Sequence, residues 1–204
     1  MDKVKDLETI KAVFDKYNVK LYIVYGALLG LHRDGKLIEH DDDIDLAIID
    51  PIDLKTRKAI GWALFNLGFK PQPISFNVFG VMEPSEPAYN GDEKTGIIVC
   101  ERNFKFTIFF FKEEVCDMHG TEYVCTPKLG AMKLISIPKR FFMKPGAVKL
   151  NGKKYLTPEI VPFLEYAYIN WKDKNGRDHS PTYSEAHAKE SLSYHDANSV
   201  TIWK

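Results

Sequence analysis

The stretch Tyr25–Asp50, YGALLGLHRDGKLIEHDDDIDLAIID, decides the fold. Its second half sets Asp41, Asp42, Asp43 and Asp45 against Leu46, Ala47, Ile48 and Ile49, so an acidic run opens a segment that otherwise reads as a buried strand. Strand side chains alternate between faces, which puts Asp43 and Asp45 on one side and Ile44 and Leu46 on the other. Two carboxylates about 7 Å apart on one face repel each other unless a cation lies between them, and Mg²⁺ or Mn²⁺ takes such oxygen ligands. The competing reading is a solvated acidic turn ahead of an ordinary strand. In the first half, a strand VKLYIVYG (19–26) ends at Gly26, and GALLGLHRDG (26–35) reads as a short helix closed by the turn signal Asp34-Gly35. A strand-to-helix corner aims backbone N–H groups and a positive helix end at an anion, and glycine allows it to come close. A phosphate corner followed closely by a metal-binding pair would hold a nucleotide-linked phosphate beside its metal, as phosphoryl-group transfer requires.

Upstream, Val4, Leu7, Ile10, Phe14 and Tyr17 recur at helical spacing over residues 2–18. Downstream, DLKTRKAIGWALFNL (53–67) is helical in period and stops at Gly68. Strands follow at 74–81, 95–102 and 104–112, with a Pro- and Gly-containing loop at 82–94 and a tight RNF connection at 102–104. Asn151-Gly152 signals a hairpin. TPEIVPFLEYAYINW (157–171) reads as a helix with Thr157 as N-cap and Pro158 at its first position. No repeat and no second core is visible. This order predicts one α/β domain over residues 1–172, a mixed sheet flanked by helices, with a polar tail at 173–204 packed on it or extending it.

With 204 residues and 45% hydrophobic content, the chain can fill one core. Its 28 basic side chains balance its 28 acidic ones, so no bulk positive field recruits nucleic acid, and none is expected as a partner. No apolar run reaches the length of a membrane span, and the opening MDKVKDLETIKAVF lacks the apolar core of a signal peptide. A soluble, cytoplasmic protein is the expectation. Cys100, Cys116 and Cys125 lack metal-type spacing and read as buried small hydrophobes in a reducing compartment. His40 reads equally as a site assistant or a polar strand-entry residue, while His179, His187 and His195 lack ligand spacing. Tyr166, Tyr168 and Trp171 fall at core-packing intervals, and Lys128, Lys133, Lys139, Arg140 and Lys144 read as a solvated face.

The segment YGALLGLHRDGKLIEHDDDIDLAI resembles the signature of the LicD/fukutin-like family of the nucleotidyltransferase-fold superfamily: a glycine corner, then Leu-Gly and Arg, then an Asp-rich DxD. FKFTIFFFKEE (104–114) and TPEIVPFLEYAYINWK (157–172) resemble later segments of that family. The resemblance implies a nucleotidyltransferase-like domain that moves a phosphorylated small alcohol, phosphocholine or ribitol phosphate, from its CDP conjugate to a glycan or other small hydroxyl, with Mg²⁺ or Mn²⁺. By the same resemblance Gly26 and Ala27 lie at the phosphate corner and Gly30 and Arg33 at the following positions. Asp41 and Asp42 fill the acidic run, and Asp43 and Asp45 are the catalytic, metal-binding pair. Read from the residues alone, Arg33 is equally a solvated helix-end charge.

Two positions depart from the pattern. Ala27 stands where the superfamily has Ser or Thr, and Thr107 stands where the family carries a third carboxylate, a metal ligand or acceptor base. Glu101 replaces that acid if it pairs across the hairpin from the Thr107 region; Glu113 and Glu114 are further candidates. The rival readings are a nucleotidyltransferase moving NMP from an NTP to a small-molecule, protein or RNA hydroxyl, and a degenerate member that binds a nucleotide or glycan without turnover.

Overall fold

The computed structural model describes residues 3–71, 97–116, 120–125, 135–168 and 170–172. The expected strand at 74–81, the loop at 82–94, Lys128, Lys133 and the tail with its three histidines lie outside the described residues. Helix α1 (Lys3–Lys16) buries Leu7, Ile10, Val13 and Phe14, the stripe its period requires. It is followed by β1 (Tyr22–Ile23), α2 (Tyr25–Arg33), β2 (Asp43–Ile48) and α3 (Leu54–Asn66). Asp53 caps α3 by accepting from the Thr56 N–H at 2.7 Å, and Gly68 at φ 87° ends it. Strands β3 (Lys70–Pro71), β4 (Ile97–Glu101), β5 (Lys105–Phe110), β6 (Lys112–Cys116), β7 (Gly120–Cys125) and β8 (Ile135–Pro138) come next. After a 3-10 turn at Lys139–Phe142, β9 (Gly146–Leu150), β10 (Lys153–Thr157) and α4 (Ile160–Ala167) complete the described elements.

Among the described residues the main sheet runs β3-β4-β5-β2-β1-β10-β9. It is mixed, as expected: β2 pairs with β5 in parallel and with β1 antiparallel, and β1 pairs with β10 in parallel. Helices flank it, α1 packing with α3 and α2 with α4, β2 and β9. The two central strands share one burial pattern. The first and third residues are half-buried, and the second and the last three are buried. Each strand therefore enters with one open face and ends enclosed on both. The expected hairpin forms at Asn151-Gly152, both at positive φ (49° and 77°), the conformation a two-residue turn between right-twisted strands needs.

Three expectations change. The strand expected over 104–112 divides at Phe111, whose backbone N–H donates to Ile48 O at 2.9 Å before the chain enters a separate antiparallel sheet, β6-β7-β8. The strand expected over 19–26 is cut to Tyr22–Ile23, because the chain turns into α2 at Tyr25, which takes φ 48°. Thr157 is not the N-cap of α4. It is a buried ladder residue opposite Gly146, its hydroxyl donates to Pro158 O at 2.8 Å, and the helix spans only Ile160–Ala167, ending where Tyr168 turns extended rather than at residue 171. Pairing with β9 claims the threonine that would have capped the helix.

Cys100 is buried, and burial, then Asp6, pushes its thiol up to about 12, so it stays protonated as a small core residue. The side chains of Cys116 and Cys125 lie outside the described ones. Tyr166 is buried against Phe141, ring centroids 5.1 Å apart, and Tyr168 and Trp171 pack on the core edge. Among the described residues no helix is long and apolar enough to cross a membrane.

Candidate active site

The open ends of β2 and β5 lie side by side. Asp43 pairs with Lys105 and Asp45 with Thr107, and residues paired across adjacent strands project to the same face. Asp43, Asp45, Lys105 and Thr107 therefore share the open face, while Ile44, Leu46, Phe106 and Ile108 turn into the core. The Thr107 hydroxyl donates to Asp43 Oδ2 at 3.0 Å. Thr107 thus stands beside the aspartate pair, at the place assigned to a third carboxylate. Lys105 Nζ lies 3.4 Å from Asp42 Oδ2 and 3.7 Å from Asp43 Oδ2.

The helix corner meets this face through the backbone. The Val24 N–H donates to Asp45 O at 3.2 Å, fixing the start of α2 beside the third residue of β2. Val24 gives α2 no side-chain cap, so the first-turn amides are the ones an anion could use. The missing side chain of Gly26 is filled by the Asp41 carboxylate, which stands in contact with the position a β-carbon would take. Gly30 works further along: a β-carbon there would fall 2.7 Å from Lys36 O, 2.8 Å from Ile38 Cγ1 and 2.9 Å from Ile38 N. The glycine lets the loop lie directly on α2. From the other side, Lys3 Nζ donates to Ile38 O, Glu39 O and Asp41 O at 3.1, 3.0 and 3.0 Å and lies 4.2 Å from the Phe104 ring centre.

Charge repulsion is strong here. The Asp45 carboxyl is raised well above the usual range by burial, then by Asp43 and Asp41, with Lys105 pulling it down. Asp41 is raised by burial, then by Asp43 and Asp42, and lowered by Lys3. Like charges crowded at this mouth are the problem a divalent cation solves, and the close cluster among the described residues is Asp41, Asp42 and Asp43, without Asp45. Ligand oxygens of Asp41, Asp42 and Asp43 lie within 4.8 Å of one another, a spacing an oxygen-liganded Mg²⁺ or Mn²⁺ fits.

The remaining candidates fall elsewhere. Ala27 is buried. Arg33 ends α2, about 12 Å along the axis from Tyr25, and holds Asp34 with two nitrogens at 3.0 and 2.7 Å. The hairpin expected to bring Glu101 to Thr107 exists, but Val99 is opposite Thr107, and exposed Glu101 faces Lys105. Glu101 thus lies two strands from Asp43, about 10 Å away. Glu113 belongs to the second sheet and pairs with Lys139 at 2.6 Å. Its strand starts just after Phe111, which bonds Ile48 at the end of β2 away from Asp43. The Glu114 side chain lies outside the described ones, and His40 is exposed.

Lys3 and Lys105 are the contributors that sequence reasoning missed. Lys105 had a signal, since it alternates with Thr107 on a strand already placed beside the DxD. Lys3 had none: its partners are backbone carbonyls more than thirty residues away.

A comparison with curated proteins found no match. Among the solved structures similar to this chain are two. One is ANT(2")-Ia in complex with adenylyl-2"-tobramycin, at 15% identity and TM-score 0.42, covering 78% of this chain and 70% of that one. The other is the lincosamide antibiotic adenylyltransferase LnuA with lincomycin bound, at 12% identity and TM-score 0.47, covering 83% and 91%. Residues 18–159, more than half of the chain, match the LicD/FKTN/FKRP nucleotidyltransferase domain, and the chain belongs to that family.

Proposed function

We propose that this protein is a metal-dependent transferase that moves a phosphorylated small alcohol, of the phosphocholine or ribitol phosphate type, from a CDP-linked donor to a sugar or glycan hydroxyl. One observation carries the reading: the parallel β2–β5 ladder sets Asp43 and Asp45 on an open face beside the start of α2. Asp43 and Asp45, with Asp41 at the rim, are the residues that would hold Mg²⁺ or Mn²⁺. The ion supplies neutralisation of the donor's pyrophosphate charge.

The chain's own groups do the rest. First-turn amides of α2 receive a donor phosphate, and the Thr107 hydroxyl fixes the Asp43 carboxylate in one orientation. The acceptor oxygen bonds to the phosphorus of the phospho-alcohol as the bond to the CMP oxygen breaks, and CMP leaves with the acceptor's proton passing to its phosphate or to water. Positioning and electrostatic stabilisation carry most of such a transfer. Thr107 in place of an acid then lowers the rate without removing the reaction.

The test is turnover of CDP-choline and CDP-ribitol with a panel of glycan acceptors. Asp43→Ala and Asp45→Ala are expected to abolish transfer while the circular dichroism spectrum stays unchanged, and full activity in either variant overturns the reading. NTPs labelled at the α-phosphate run in parallel; label passing to the acceptor identifies NMP transfer instead. The Thr107–Asp43 hydrogen bond favours one further reading, a binding protein, which tight CDP-conjugate and Mn²⁺ binding with no product over long incubation would establish.

A further inference from the structure

We infer that Lys105 is the fixed cation of the site: it takes the place of a second divalent ion and binds the donor's phosphate once Asp43 is engaged by the first. The inference rests on the site proposed above but not on which group is transferred. A second ion beside the first needs further oxygen ligands of its own. Here the strand beside the aspartates presents Lys105 and Thr107. Thr107 spends its hydroxyl on Asp43 Oδ2, so β5 itself offers no negative ligand on this face. Lys105 Nζ stands over the same face, 3.4 Å from Asp42 Oδ2 and 3.7 Å from Asp43 Oδ2.

Three features separate this ammonium from a structural ion pair. Both distances are long for a charge-assisted hydrogen bond, so neither aspartate holds it tightly. Its side chain is 35% exposed and that of Asp42 86%, so it is anchored at the sheet and open at the tip. Its ladder neighbours are Asp43 on one side and Glu101 on the other, so it sits at the centre of an acid–base–acid row. A cation bound by Asp43 repels Lys105 from that carboxylate, and a phosphate oxygen arriving at the mouth is the replacement partner.

The test uses the full chain and its Lys105→Met and Lys105→Arg variants, with two probes: Mn²⁺ alone, followed by electron paramagnetic resonance, and the Mn²⁺–pyrophosphate complex, followed by calorimetry in excess Mn²⁺. The expected stoichiometry is one Mn²⁺ per wild-type chain. Lys105→Met is expected to bind Mn²⁺ at least threefold more tightly, because a competing cation is gone, and the pyrophosphate complex about tenfold more weakly, the loss of one charge-assisted contact. Lys105→Arg should stay close to wild type in both. Opposite signs are the point, since a residue that merely supports the cluster would weaken both probes together. Two Mn²⁺ per chain, parallel weakening, or no change in either affinity overturns the inference. Neither readout uses turnover, so failure of every CDP donor with these signs intact would sink the transferase reading alone.

Discussion

Gly30→Ala is the substitution that best separates packing from chemistry at this site. The new β-carbon would stand 2.7 Å from Lys36 O, 2.8 Å from Ile38 Cγ1 and 2.9 Å from Ile38 N, where ordinary contact begins at 3.4 Å. Two of the three obstacles are backbone atoms, so no rotamer change relieves them, and the loop must move 0.7 Å to clear Lys36 O. Overpacking of this kind costs about 1–3 kcal/mol, and with backbone in the way the upper figure applies. Alanine returns about 1 kcal/mol of helix propensity. The net is about 2 kcal/mol, or about 4–8 °C in Tm for a chain of this size.

The displaced loop leads straight into Asp41, Asp42 and Asp43, and a misplacement approaching 1 Å can cost roughly 100-fold in rate. The expected pattern is a modest loss of stability with a large loss of Mn²⁺ affinity and turnover. Gly35→Ala is the control: at φ 70° with nothing within 4 Å, it should cost about 1 kcal/mol in backbone strain and leave Mn²⁺ affinity alone. Scanning fluorimetry with a Mn²⁺ titration measures both. A Gly30→Ala protein with wild-type Tm and wild-type Mn²⁺ affinity would refute the reasoning.

Asp6 is fully buried and accepts from Arg102 Nε at 2.9 Å, the Asn103 N–H at 2.9 Å and Asn103 Nδ2 at 3.1 Å. Asp6→Ala should cost about 3 kcal/mol in urea unfolding, the low end for a buried pair because the Arg102 side chain remains 25% exposed. The raised carboxyls of Asp45 and Asp41 contribute stability at acid pH, where folded and unfolded chains are both protonated. That contribution is lost as pH rises through the raised folded-state values. Metal-free Asp45→Asn should therefore melt above wild type at pH 7.5, with the gap shrinking towards pH 4; a gap that widens on acidification would contradict the assignment. Thr107→Asp should weaken metal-free stability by adding a like charge beside Asp43 and Asp45, with Mg²⁺ restoring more Tm in the variant than in wild type, as melting curves with and without the ion will show.

The central ladder was legible because its information is local. Alternation in DIDLAI and FKFTIF places every charged and apolar side chain on the face it occupies, and Asn151-Gly152 states its own turn. Where reading failed, a distant partner intervened. β9 took Thr157 from the helix it was expected to cap, and Ile48 drew Phe111 into the main sheet, ending one strand and starting another. Register defeated the Glu101 assignment: a two-residue difference along a hairpin exchanges Glu101 for Val99 opposite Thr107, and nothing in the sequence fixes that offset. Lys3 was invisible for a different reason, since carbonyl groups have no sequence identity.

The family match begins at residue 18, and α1 ends at Lys16. Yet α1 reaches both halves of the site from its opening turns, Lys3 gripping the carbonyls of the acidic loop and Asp6 gripping the connection that launches β5. A fragment cut at the homology boundary would keep Asp41, Asp42, Asp43, Asp45, Lys105 and Thr107 and lose what holds the two strands' entrances at a fixed spacing. The functional unit is therefore longer than the recognisable one. Its calibration resides in a helix outside the matched region, where a substitution could retune the distance between the aspartates and Lys105 without altering any of them.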